Sequence, residues 1–149
     1  MLIQEFVDCL LAHFGLEGSK VEITEDDMIY VQITVSEEDS GLLIGYHGES
    51  LAALQKILQL IYRQDPEGKK IVVNVNDYKQ RREAQIKEMT RRIAERVLQT
   101  GQSYLFSYLP ANERLVVHQT IAEPEFSELE SISKGEGKDR RLEIHLKAV

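Results

Sequence analysis

The chain has 149 residues, of which 42% are hydrophobic, 29% charged and 7% aromatic, enough for one ordinary domain or two small ones whose cores need no metal or disulfide staple. A single cysteine, Cys9, excludes an internal disulfide framework and a cysteine-based zinc site, and no apolar run approaches the ~18 residues of a membrane span. The opening MLIQEFVDCL lacks the basic start and small-residue cleavage site of a secretory signal, so a soluble, intracellular globular protein is expected.

In chain order, Ile3, Phe6, Val7, Leu10, Leu11 and Phe14 form a complete apolar stripe at helical spacing, and Gly15 supplies the stop. Cys9 lies off the centre of this stripe and is expected to be a small packing residue. Val21 and Ile23, then Ile29, Val31, Ile33 and Val35, alternate as two strands, with Glu25–Met28 as the hairpin turn. After the acidic residues Glu37, Glu38 and Asp39 comes Gly41-Leu-Leu-Ile-Gly45-Tyr46-His47-Gly48. It runs into a helix carrying Leu51, Leu54, Ile57, Leu58, Ile61 and Tyr62, which Pro66-Glu67-Gly68 ends with a turn. Ile71, Val73 and Val75 alternate as a third strand. Asp77 offers an N-cap for a long helix over 78–100, with Gly101 at its C-terminal stop. A short strand near 104–106, a helix over 110–122 and two strands near 126–133 and 140–147 complete the pattern, with 134–139 as the last turn. The fold class expected is α+β: two small units, α-β-β-α-α-β over 1–77 and β-α-β-β within 78–149, joined by the long helix.

The charge is uneven. Residues 1–40 hold one basic and ten acidic residues, 41–122 hold twelve basic and eight acidic, and 123–149 hold five basic and seven acidic. A polyanion feels the field over about 8–10 Å, so the net −7 does not exclude nucleic acid from the middle of the chain.

Three constellations bear on chemistry. Two glycines three apart, Gly45 and Gly48, let the backbone turn tightly, and the helix behind them aims its free N–H groups at the loop, where a sugar-phosphate backbone fits; the bare spacing equally suits a plain helix–helix turn. The loop is expected to be exposed, so that Asp at both glycines removes binding and leaves the fold intact. Arg114 and His118 lie one turn apart on a helix, either as a phosphate fork or as a structural pair capped by a carboxylate such as Glu113. Arg81, Arg82, Lys87, Arg91, Arg92 and Arg96 give the long helix a basic face, part of it neutralised by Glu83–Lys87 and Glu88–Arg92. His13 and His145 are expected at the surface or in packing, and no histidines have metal-ligand spacing.

Leu42-Leu43-Ile44-Gly45-x-x-Gly48-Glu49-x-Leu51-x-Ala53-Leu54-Gln55 resembles the GxxG segment of type II KH domains. Asp77-Tyr78-x-x-Arg81-Arg82-Glu83 through Gly101 resembles the linking helix of the Jag (SpoIIIJ-associated) family. Asn112-Glu113-Arg114-Leu115-Val116-Val117-His118 and Ser131-x-x-x-Gly135-Glu136-Gly137-x-x-Arg140-Arg141 match that family's C-terminal Arg-x-x-x-His domain. The family's separate N-terminal Jag-type domain is not among these residues, so functions that depend on it do not carry over. The resemblance implies a non-catalytic, cofactor-free protein of the bacterial cytoplasm that binds single-stranded RNA, or DNA, in a post-transcriptional or RNA-chaperone role, with a small single-KH protein as partner. It assigns nucleic-acid contacts to Gly45, Tyr46, His47, Gly48, Arg114 and His118; Arg81 and Arg82 of the basic helix face, with Arg140 and Arg141, are expected as further basic contacts. Tyr46 and His47 stand where KH loops usually carry Lys or Arg, which removes a permanent charge and offers Tyr46 for base stacking. The alternative is a protein-interaction module with a degenerate KH surface; a hydrolase using His118 lacks a second acid–base residue.

Overall fold

A computed structural model describes residues 2–62 and 68–149. The chain forms two compact units, Met1–Lys79 and Gln80–Val149. In the first, helix α1 (Ile3–His13) precedes a hairpin of β1 (Lys20–Glu25) and β2 (Ile29–Thr34), then α2 (Glu37–Ile44), a 3₁₀ turn at Tyr46–Gly48, α3 (Glu49–Tyr62) and β3 (Ile71–Val75). The sheet order is β1-β2-β3. β1 pairs antiparallel with β2, and β2 pairs parallel with β3 in the register Val31↔Val73. The parallel pair requires a crossover, and α2 and α3 provide it.

Alternation sets the strand faces. Val31 and Ile33 of β2 and Ile71, Val73 and Val75 of β3 are buried against Val7 and Leu11 of α1 and Leu51, Leu54 and Leu58 of α3. Cys9 departs from its expected packing role: off the stripe, it falls on the outer side of α1, exposed, with its Sγ 3.7 Å from His13 Nδ1 one turn on. Gly15 has φ +74°, and Leu16 N–H closes back onto the Leu11 carbonyl, as a left-handed helix stop requires. Pro66 and Glu67, part of the expected turn after α3, lie outside the described residues.

Helix α4 (Tyr78–Thr100) leads into the second unit, and Gly101, at φ +71°, ends it. There β4 (Tyr104–Leu105), α5 (Ala111–Ile121), β5 (Leu129–Lys134) and β6 (Arg141–Leu146) follow, with single 3₁₀ turns at Pro124–Phe126 and Gly137–Asp139. The sheet is antiparallel in the order β4-β6-β5. Its core is Ile86, Ala94 and Val97 of α4, Val117 and Ile121 of α5, and Phe106, Phe126, Leu129, Leu142 and Ile144. The strand expected to begin near 126 starts at Leu129, because Pro124 opens a turn instead and that turn buries Phe126.

The cap expected of Asp77 is made elsewhere. Asn76 and Asp77 both take left-handed φ, +48° and +53°, outside the extended conformation that a capping residue adopts. The buried Asn74 Oδ1 accepts from Lys79 N–H in the first turn of α4. No helix among the described residues is long and apolar enough to cross a membrane.

Candidate nucleic-acid interface

The loop between α2 and α3 is built on backbone geometry. Ser36 caps α2 by accepting from Asp39 N–H, and α2 closes at the Gly45 N–H to Gly41 carbonyl bond. Gly45 then takes φ +72° and ψ −175°, a region open essentially to glycine alone. A Cβ there would overlap Ser50 Oγ and lie 2.9 Å from the Ser50 backbone nitrogen. The expectation that Asp at Gly45 spares the fold is therefore corrected: the residue is half-buried, and its missing Cβ is what lets α3 start where it does. Gly48 (φ +76°) faces the edge of the Tyr78 ring, 3.0 Å from an added Cβ, a side chain and not backbone. Between them His47 sits in the left-handed region and Tyr46 is 67% exposed, its ring packed edge-on to the imidazole at 4.2 Å. Glu49 opens α3, so the loop itself offers amide groups and an exposed aromatic ring rather than positive charge.

Helix α3 leads from this loop along the open edge of β3. There Gln55 Oε1 accepts from Val73 N–H at 3.0 Å, and Gln59 Nε2 donates to the Ile71 carbonyl at 3.0 Å. Lys79 Nζ also donates to Gln55 Oε1, and burial, with Lys70 nearby, holds this ammonium below the usual lysine range. The strand edge is thus satisfied by side-chain amides of the donor and acceptor type that nucleobase edges also present.

In the second unit α5 packs on β5 and brings two of the predicted residues to one face. Arg114 donates to the Leu109 carbonyl; one turn later His118 projects over the sheet, its Nδ1 2.6 Å from Ser131 Oγ and its Nε2 3.1 Å from Ser133 Oγ. Burial, then Arg114, then Arg140 hold His118 below the ordinary histidine range, so Arg140 belongs to the same cluster. Arg140 is steadied by donation to the Gly135 carbonyl. The sequence does not single out Ser131 and Ser133 as site residues. Ser131 opens the closing Ser131-x-x-x-Gly135 motif without being given a role there, and the signal for Ser133 is the serine alternation on β5, which puts both hydroxyls on the face that carries buried Leu129.

The other predicted contacts are engaged differently. Arg82 is turned to Glu113 as a bidentate pair, Nε to Oε1 at 2.7 Å and Nη2 to Oε2 at 3.1 Å, with Glu113 3% exposed. The carboxylate weighed as a cap for Arg114 therefore serves Arg82. Arg141 stacks over the Tyr108 ring at 5.7 Å and donates to the Lys138 and Arg140 carbonyls. Arg81 is exposed on the first turns of α4, whose expected Glu83–Lys87 and Glu88–Arg92 pairs are present at 2.8 and 3.9 Å. Arg91 lies against Glu123 at 3.1 Å.

Comparison with known proteins adds to this geometry. The model of the KhpA/KhpB KH domain matches residues 1–75, and that of the Arg-x-x-x-His domain matches residues 84–146. The chain is 30% identical over 131 residues to the RNA-binding protein KhpB of Bacillus subtilis, covering 87% of this chain and 63% of that protein. It is 29% identical over 115 residues to KhpB of Streptococcus pneumoniae, covering 76% of this chain and 34% of that one. The match to KhpB of Lactiplantibacillus plantarum is 31% over 94 residues, 62% of this chain and 29% of the relative. The chain thus spans less than two thirds of the length of these curated relatives.

Proposed function

The chain belongs to the KhpA/KhpB KH-domain family, and on that premise we propose that it binds single-stranded RNA without catalysing a reaction, through the Gly45–Gly48 loop and the Arg114, His118 and Arg140 cluster. The observation that carries this reading is the cluster. Two guanidinium groups beside a half-buried imidazole repel one another and disfavour its charging; a phosphate between them removes both costs at once. The loop contributes amide groups and the exposed Tyr46 ring, whose stacking on a base is worth roughly 1–3 kcal/mol. Arg81 and Arg141 extend the basic contacts, while Arg82 acts first on the fold. The setting that follows is the bacterial cytoplasm, in post-transcriptional control or as an RNA chaperone.

The test is fluorescence anisotropy with a short single-stranded RNA and a DNA strand of the same sequence. Gly48→Asp and Arg114→Ala are each expected to weaken RNA binding by roughly tenfold or more, the scale of a hydrogen bond to a charged group, with both units still folded. With two to four phosphates neutralised, log K should fall against log[salt] with a slope of about −1.4 to −2.8. Unchanged affinity in both variants, with a slope near zero, would transfer the function to protein interaction.

One observation favours a protein partner in addition. Ile57, Leu60 and Ile61 form an exposed apolar stripe on α3, away from its buried Leu51, Leu54 and Leu58. A small single-KH protein is the partner that this surface and the family together support.

A further inference from the structure

The RNA reading leaves open which atoms in the second unit touch the phosphate. Both ring nitrogens of His118 are occupied, Nδ1 by Ser131 Oγ and Nε2 by Ser133 Oγ. The two serines alternate on β5, and their register partners, Ile144 and Leu142, are buried in the core, which fixes where the hydroxyls stand. A ring whose nitrogens are both engaged presents neither of them to a ligand. Its hydroxyl partners, both partly exposed, are the groups still able to turn outward.

We propose that Ser131 and Ser133 are the hydrogen bond donors to an RNA phosphate held between Arg114 and Arg140, and that His118 is their positioning residue, setting which way each hydroxyl points. The hydrogen count gives the mechanism. A neutral imidazole has one N–H and one lone pair. The serine facing the N–H accepts from it and keeps its own hydrogen for the ligand; the serine facing the lone pair must donate to the ring. One outward donor results. Once His118 gains a proton, both nitrogens donate, both serines accept, and two O–H groups face the phosphate. The charged groups that bear on the ring are Arg114 from α5 and Arg140 ahead of β6, and with burial they disfavour the charged form of the free imidazole. A bound phosphate offsets them and raises the His118 midpoint in the complex. Because that midpoint is higher bound than free, binding takes up a proton. Affinity should therefore rise as pH falls through the bound-state midpoint, and level off below the lowered free-state one.

This inference rests on the RNA reading, and the experiment separates the two. Wild type, Arg114→Ala, the Ser131→Ala/Ser133→Ala double variant and its Ser131→Thr/Ser133→Thr counterpart are titrated with the same short RNA at pH 8 and pH 6, after thermal melts confirm folding. Removing the hydroxyls is expected to weaken binding about tenfold at pH 6 but only about threefold at pH 8, the second donor being available only to the protonated ring. The pH gain should shrink accordingly, and the threonine pair, which keeps both hydroxyls, should restore it. In wild type, the ¹⁵N shifts of the His118 ring should show its midpoint rising on RNA addition. An alanine pair that keeps wild-type affinity and pH gain, a threonine pair that fails to rescue, or an unmoved His118 midpoint would each overturn the assignment while the RNA reading stands. An Arg114→Ala variant that binds equally well overturns this assignment too, whereas loss of the RNA reading shows separately, as a wild type that does not bind the RNA at either pH.

Discussion

Gly45→Ala is expected to destabilise the first unit by about 3 kcal/mol. Two costs combine. The backbone at φ +72° and ψ −175° costs a side-chain-bearing residue about 1–3 kcal/mol. The new Cβ also meets Ser50 at Oγ, Cβ and the backbone nitrogen, all within 2.9 Å. The Ser50 side chain can rotate, but its backbone nitrogen belongs to the first turn of α3 and moves only with the helix. The loss should appear as a drop of about 12–24 °C in the melting temperature of this unit. Hydrogen exchange should place it in α3 and β3, with the second unit unaffected. Gly48→Ala is the comparison, expected to cost less, since an added Cβ there meets a side-chain ring edge at 3.0 Å and not a helix backbone atom, and a left-handed residue costs about 1–2 kcal/mol. A Gly45→Ala loss below about 1 kcal/mol, less than the backbone strain alone, would show that the loop relaxes freely, contrary to the packing described. For the same reason Gly48→Asp, and not a change at Gly45, is the variant used to report on RNA, with a thermal melt to check that the first unit stays folded.

Arg82→Ala is expected to cost the second unit about 2–3 kcal/mol. Glu113 is buried with its carboxylate gripped at both oxygens, so truncating Arg82 removes a bidentate ion pair from a carboxylate that water barely reaches. Breaking such a pair from one side costs about 3–5 kcal/mol when both partners are buried; the Arg82 side chain is 28% exposed, and water entering from that side reduces the figure. Glu113→Gln keeps the volume and removes the charge, so it should cost about 1 kcal/mol. Combining the two should lose less than the sum of the single changes, since the neutral amide no longer needs the guanidinium. Urea titrations of the four proteins measure this directly. If Arg82→Ala instead leaves stability unchanged and lowers only RNA affinity, the guanidinium belongs to the phosphate contacts and not to Glu113.

Most elements were legible from local pattern. The stripe Ile3 to Phe14 and the stop at Gly15 define α1; the alternation from Ile29 to Val35 defines β2; the long run to Gly101 defines α4 over 78–100. Each rests on a period of 3.6 or 2, which the residues carry whatever surrounds them. The glycine spacing at 45–48 and the Arg114–His118 spacing are local in the same way, and so were visible before any packing was known. The family resemblance drew on those same short-range motifs, and the matches to the two domain families agree with it.

What only the tertiary structure decided is which partner each polar side chain takes. Glu113 was free to serve Arg114 one residue on, but the packing of α5 turns it to Arg82, 31 positions away. The cap expected of Asp77 moved to Asn74, because two left-handed residues redirect the chain before α4 begins. His118 meets Ser131 and Ser133 across 13 and 15 positions, and Gln55 meets Val73 across 18. Periodicity says which face of an element is apolar, since burial acts on every residue of a stripe and its signal adds up along the segment. A hydrogen bond between distant residues has no such repeat. It depends on strand register and helix placement to within a few tenths of an ångström, quantities that exist only once the core has packed.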